Sequence, residues 1–261
     1  MNSLTVTPID VRSLAPFGAL VLGDDTDARS LDADALAALA TERRVLVLRG
    51  FQALPDDAFV DFCRPLGRIL EWEFGAVNRL VPNDAARNYI YTRAAVPLHW
   101  DGAFVGHVPR FIVFHCDVAP DPAAGGETTF VDTTRVLAGA TAEQYERWRC
   151  VSVKYETEKI VHYGGSFTAR VVDRHPVTGE TVLRFAEPVH DLNPVKLTVS
   201  GADDGDAFIK EMQAALAAPE ALLAHRWERG DIVIADNFAL LHGRRAFTAT
   251  TERAIRRINV L

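Results

Sequence analysis

From about residue 88 onward the chain is written in short runs of apolar residues broken by single polar ones: "NYIYT", "RFIVFHCDVA", "ETTFVDT", "CVSVKYE", "TARVVDRH", "ETVLRFA", "VKLTVS", "DIVIADN" and "AIRRINVL". A period of two sends successive side chains to opposite faces of a strand, and the Val, Ile, Thr and aromatic content suits a pleated surface. Turn signals such as "TGE" and "PDPAAGGE" separate several runs, which favours a β-sandwich or barrel over alternating βα units.

Helical patterns frame and interrupt this β-rich text. "LDADALAALATERRVLVLRG" (31–50) begins as a helix capped by Asp32 or Asp34 and turns into a strand at "RVLVLRG", where Val45 to Leu48 read as buried on both faces. "PDDAFVDFCRPLG" (55–67) predicts a second short helix, with Pro55 and two aspartates at its start and a Pro/Gly stop. Two insertions, 135–149 and 203–227, have helix-forming composition, and Pro219 divides the second. The pattern predicts one domain over residues 1–261, mainly β with peripheral helices; no repeat, low-complexity tract or linker divides it.

Composition narrows the function. A hydrophobic content of 48% supports a substantial core, and a net charge of -7 with no dense basic run argues against nucleic acid as a partner. Cys63, Cys116 and Cys150 form no CxxC pair and read as buried thiols in a reducing compartment. The first 25 residues lack a basic segment followed by a long apolar one, and no apolar run reaches the roughly 18 residues of a membrane span, so a cytoplasmic protein is expected.

The chemistry is in "PLHWDGAF" (97–104). On a strand, residues two apart share a face, so His99 and Asp101 can converge on one point while Trp100 packs behind them. A non-haem ferrous site needs one more histidine on that side. His115 lies in a continuous apolar strand, where it suits the core and a ligand role equally. His175, His190 and His225 sit in or near turns and are expected at the surface, and His107 has no supporting context. Only His242 has it: "GDIVIADN" is a strand, "FALLHGRR" delivers the histidine, and Arg253 and Arg257 follow on the last strand. Arginines four apart on a strand share a face. A buried guanidinium needs an anion, and it is shaped to hold a carboxylate in bidentate fashion. Two histidines, one carboxylate and an inward arginine are what an iron enzyme with an acidic cosubstrate requires.

These residues resemble the taurine dioxygenase (TauD/TfdA) family of Fe(II)/2-oxoglutarate-dependent oxygenases. The resemblance rests on "HWDGAF", "GGETTF", and "DNFALLHGRRAF" followed, with ten residues intervening after its histidine, by Arg253, and it extends to the early "VLVLRGF". It implies a double-stranded β-helix, or jelly roll. It also implies a facial triad of His99, Asp101 and His242, with Thr128 and Arg253 on the distal carboxylate of 2-oxoglutarate. Dioxygen and 2-oxoglutarate would be consumed, with succinate and carbon dioxide formed, and a small-molecule substrate hydroxylated or desaturated. Halogenases of related fold have a small residue where Asp101 stands, so halogenation is disfavoured.

A closer similarity is to the PvcB-like branch, associated with isonitriles and other secondary metabolites. It rests on "NYIYTRAAVPLHWDGAF", "VPRFIVFHC", "KIVHYGGSFTARVVDRHP" and "LRFAEPVHDLNP". It suggests an amino-acid-like substrate. Candidate substrate contacts are Tyr91, Arg93, Phe104, His162, Tyr163, Arg184 and Arg257. Trp72 and Phe74, in "EWEFG", read first as packing residues, with a lid near the site as the alternative. The competing class is a jelly-roll protein that binds metal without turnover, although a structural zinc site would close its coordination sphere and need no carboxylate clamp. A homo-oligomer is compatible with all of this.

Overall fold

Val45–Arg49 buries both of its faces. Val45 and Val47 join one hydrophobic cluster, and Leu46 and Leu48 join another on the opposite side. The computed structural model describes residues 10–73, 75–160 and 163–261, and of Ile160 and Tyr163 the backbone alone. Within it this strand is third in a seven-stranded sheet ordered Asp10–Ser13, Ala19–Leu22, Val45–Arg49, Ile232–Asp236, Phe111–Val118, Ala254–Val260, Asn78–Leu80. A four-stranded sheet, ordered Leu222–His225, Thr128–Asp132, Leu240–Arg244, Val96–His99, faces it. Ile112, Phe114, Val233 and Ile255 of the larger sheet meet Phe130, Leu223 and Leu240 of the smaller in one core. Two sheets joined face to face by their alternate residues form the jelly roll.

Helices cover the outer faces. Ala33–Arg43, capped by the Asp32 side chain, and Asp56–Cys63 pack Leu36, Phe59 and Phe62 onto the outer face of the large sheet, against Leu46, Val113 and Ile234. Thr133–Gly139, Ala142–Trp148 and Gly205–Leu216 pack with the three-stranded sheet Lys196–Ser200, Ser152–Ile160, Tyr163–Arg170 against the small sheet. Among the described residues no helix is long and apolar enough to cross a membrane.

Several expectations are corrected. "NYIYT" is a 3-10 turn, Tyr89–Tyr91, because Asn88 accepts a hydrogen bond from the Ile90 N–H and caps it instead of continuing an extended chain. The first helical insertion is two helices, divided where Thr141 opens a capping box with Gln144. The second keeps its helix only to Leu216; beyond Pro219, Leu222–His225 is a strand paired with Thr128–Val131, so sheet pairing overrides Ala/Leu-rich composition. "TARVVDRH" breaks at Val171 into two strands of different sheets. The strands Asp10–Ser13, Ala19–Leu22 and Asn78–Leu80 carried no recognised signal. Cys150 is exposed, unlike Cys63 and Cys116. His175 and His225 are buried because each meets a fully buried aspartate: Asp236 at 2.9 Å and Asp231 at 3.1 Å.

Candidate metal centre

His99 closes the Val96–His99 strand, and its cross-strand partner is His242 on the Leu240–Arg244 strand. Asp101 follows two residues later, in a turn that only glycine can complete. Gly102 has φ +94°, and a Cβ there would lie 2.2 Å from the His107 carbonyl oxygen. Gly243, beside His242, lets the strands approach: a Cβ would fall 2.5 Å from the Val96 carbonyl oxygen. His99 Nε2 and His242 Nε2 are 3.6 and 3.8 Å from Asp101 Oδ1. One ligand atom from each residue lies within 4.8 Å of the other two, the only such cluster among the described residues.

The surroundings prepare these atoms for a cation. His99 Nδ1 lies 2.9 Å from the Pro97 carbonyl, which can only accept, so Nδ1 carries the proton and Nε2 keeps its lone pair. Asp101 Oδ2 pairs with Arg257 Nη1 at 2.9 Å and accepts from Asn259 Nδ2 at 3.0 Å, while Oδ1, which also accepts from Arg257 Nη1 at 3.3 Å, faces the histidines. Burial alone would raise the Asp101 pKa; the Arg257 guanidinium against the carboxylate outweighs it and holds the carboxyl far below its usual range. His242 is pushed well down by burial, with the nearby His99 adding to the effect, so its imidazole is neutral and able to ligate. The main chain of Asp101 is fixed by Asn237, whose Oδ1 accepts the Asp101 N–H at 3.0 Å while Nδ2 donates to the Asp101 and Pro109 carbonyls at 3.2 and 2.8 Å. Neither Asn237 nor Asn259 was singled out from the sequence, where an asparagine gives no sign of its main-chain or carboxylate partner.

Two cavities meet at the triad. The inner one, about 40 Å³, is lined by His99, Phe114, Thr128, His242, Arg244 and Arg253 among others. At this end Arg253 donates through Nε to the Gly126 carbonyl at 3.0 Å and through Nη2 to Thr128 Oγ1 at 3.2 Å. Trp227 Nε1 also donates to that hydroxyl, at 3.1 Å, so both its lone pairs are engaged and its hydrogen remains to be donated. Among the described residues no carboxylate pairs with Arg253. Burial, with some help from Arg244, lowers its pKa to about 9. A buried guanidinium beside an available hydroxyl, facing two histidines and a carboxylate, fits a dicarboxylate that also reaches the metal.

The outer cavity, about 190 Å³, opens beside His99 and Asp101 between Tyr89, Trp100, Phe104, Tyr155, Phe167 and Val189. Trp100 belongs to this wall, edge-on to Tyr155 and Phe167, and does more than pack behind the ligands. Tyr91, Phe104, Arg257 and Trp72 also line it. Arg93 and Arg184 do not. Arg93 pairs with Asp84 at 2.5 Å. Arg184 is buried behind the Trp100 ring, 5.7 Å from its centroid, and donates to the Asn237 carbonyl. His162, Phe74 and the Tyr163 side chain lie outside the described residues.

Residues 10–259 match the taurine catabolism dioxygenase TauD, TfdA family. The chain belongs to that family. This TauD/TfdA-family protein is 42% identical to 3-((Z)-2-isocyanoethenyl)-1H-indole synthase of Fischerella ambigua, across 96% of this chain and 95% of that one. It is 38% identical to tyrosine isonitrile desaturase of Pseudomonas aeruginosa, across 88% and 81%. The solved structure of PvcB, described as an Fe, alpha-ketoglutarate dependent oxygenase from an isonitrile synthetic pathway, superimposes with a TM-score of 0.82 at 34% identity, covering 100% of this chain and 94% of PvcB. The protein is an Fe(II)/2-oxoglutarate-dependent oxygenase of jelly-roll fold.

Proposed function

We propose that this oxygenase desaturates an isonitrile derived from an aromatic amino acid. The observation that carries the reading is the outer cavity: aromatic walls from Tyr89, Trp100, Phe104, Tyr155 and Phe167, with the iron ligands His99 and Asp101 in its lining. Edge-to-face contacts such as Trp100 to Phe167, with centroids 5.8 Å apart, leave ring faces and edges to pack a phenol or indole. The names of the two relatives, one making an isocyanoethenyl indole and one desaturating a tyrosine isonitrile, point to the same class.

In this reading His99, Asp101 and His242 hold iron, and Arg253 with Thr128 holds the distal carboxylate of 2-oxoglutarate. Bound iron and 2-oxoglutarate supply the oxidising power: with dioxygen they yield succinate, carbon dioxide and water as the substrate loses two hydrogens. The chain's own contribution is orientation and dryness. Arg257 and Asn259 fix the rotation of the Asp101 carboxylate, and the Pro97 carbonyl fixes the His99 ring. The aromatic walls exclude water and present one C–H bond of the substrate toward the triad.

The test is mass spectrometry of products from tyrosine- and tryptophan-derived isonitriles incubated with protein, Fe(II), 2-oxoglutarate and air. A product lighter by two hydrogens, with or without loss of carbon dioxide, supports the reading. A product heavier by one oxygen, or turnover of neither isonitrile, contradicts it.

A further inference from the structure

Arg244 ends the strand that carries His242 and shares its face, two residues on. Its guanidinium is buried and lines the inner cavity, yet among the described residues it meets no carboxylate. It meets three carbonyls instead. Nη1 donates to Ile90 at 3.0 Å, and Nη2 donates to Thr92 at 2.6 Å and to Ala94 at 2.7 Å. The Phe247 ring lies 5.2 Å away, and the buried Nε has no partner.

All three acceptors belong to the stretch that leads from the 3-10 turn into the iron-binding strand. Its other carbonyls are taken from different directions: Tyr91 accepts from the Asn83 N–H and Arg93 from the Phe247 N–H. A single guanidinium therefore stands in for a neighbouring strand along residues 90–94. This stretch is also a shared wall, because Ile90 lines both the inner and the outer cavity and Tyr91 lines the outer.

We propose that Arg244 is a positioning residue that couples cosubstrate loading to the shape of the substrate cavity. Carbonyl dipoles offset only part of the cost of burying a cation. A dicarboxylate in the inner cavity supplies the missing negative charge beside the same guanidinium that holds residues 90–94. Loading the inner cavity firms the clamp, and the clamp sets where Ile90 and Tyr91 stand against the substrate. The inference rests on the inner cavity holding 2-oxoglutarate. It does not depend on which substrate fills the outer one.

The experiment is hydrogen–deuterium exchange of the full chain with anaerobic Fe(II), with and without 2-oxoglutarate, read on peptides covering residues 86–96 and, as a control, 111–118. Binding of 2-oxoglutarate is measured in parallel by calorimetry. Wild type is expected to exchange more slowly in 86–96 once 2-oxoglutarate is added. R244K keeps a cation of similar length but loses the fork. It should exchange about tenfold faster in 86–96 without 2-oxoglutarate and gain no protection from it, although calorimetry still shows binding and 111–118 is unchanged. R244Q, which removes the charge, should do the same. The proposal is overturned if R244K matches wild type in 86–96, if 2-oxoglutarate protects both proteins equally, or if 111–118 accelerates just as much, which marks general destabilisation. Failure of wild type to bind 2-oxoglutarate overturns the cosubstrate assignment and this proposal with it.

Discussion

The side-chain amide of Asn237 pairs with both main-chain polar groups of Asp101, accepting from its N–H at 3.0 Å and donating to its carbonyl at 3.2 Å. Asp101 lies beyond the last ladder pair of its strand, and the amide supplies what an adjacent strand would. Asn237→Ala leaves these buried groups unpaired and lets the carboxylate ligand drift. The expected result is a 10- to 100-fold loss of Fe(II) affinity, on the order of what removing a group that orients a metal ligand costs, with a stability loss of about 1–3 kcal/mol. Anaerobic iron titration alongside thermal melting checks it; unchanged iron affinity would remove Asn237 from the account.

Arg253 and Thr128 should act on the cosubstrate alone. Arg253→Ala removes a charge-assisted contact of about 1.5–3 kcal/mol, equivalent to a rise of roughly 10- to 100-fold in the 2-oxoglutarate requirement. Thr128→Val, which removes one hydroxyl, should raise it less. Iron affinity should hold in both. Steady-state kinetics against 2-oxoglutarate, with iron binding measured separately, distinguishes this from a general loss of fold.

How far these residues could be read before folding depends on what kind of partner each has. His99 and Asp101 share a face by strand spacing, and His242 and Arg253 stand out because a histidine and an arginine recur at the ends of apolar runs. Arg244 and Asn237 carry no such signal: their partners are main-chain atoms of segments 150 and 136 positions away, measured from Ala94 and Asp101. The β-rich core was readable from short apolar runs set off by turn signals, because its strands are buried on both faces, between the two sheets and under the covering elements. "NYIYT" misleads because its alternation is real, while its cap and the Arg244 clamp decide its shape. Arg184 looked like a substrate contact and is instead a support behind Trp100 and Asn237.

Asp231 predicts an acid-sensitive joint. It is fully buried, and it accepts from Arg49 Nε and Nη2, each at 2.7 Å, from His225 at 3.1 Å and from the Glu228 N–H at 2.9 Å. Burial would raise its pKa, but these donors outweigh it and leave it lowered. A depressed folded-state value means the stabilisation is present above the usual carboxylate pKa, about 4, and is lost as pH falls through the folded value. Asp231→Asn should cost about 2–4 kcal/mol at neutral pH, the lower part of the range for breaking a buried pair because Arg49 is partly exposed. Denaturant melts should show that difference shrinking in acid; a difference independent of pH would contradict the assignment.

The thiols should separate by burial. Cys63 and Cys116 are buried, which raises the Cys63 pKa well above its ordinary value and that of Cys116 to about 12, whereas Cys150 is exposed. Iodoacetamide on the native protein, followed by peptide mapping, should label Cys150 first and reach the other two only after denaturation. Rapid native labelling of Cys116 would contradict the packing described between the sheets.

The central claim is that His99, Asp101 and His242 hold an iron that 2-oxoglutarate chelates from the Arg253 side. Visible absorption of the anaerobic protein with Fe(II), recorded before and after addition of 2-oxoglutarate, tests it most directly. A weak metal-to-ligand charge-transfer band should appear in wild type, require more 2-oxoglutarate in Arg253→Ala, and vanish in His99→Ala and His242→Ala. No band in wild type, or an undiminished band in the histidine variants, would contradict the account.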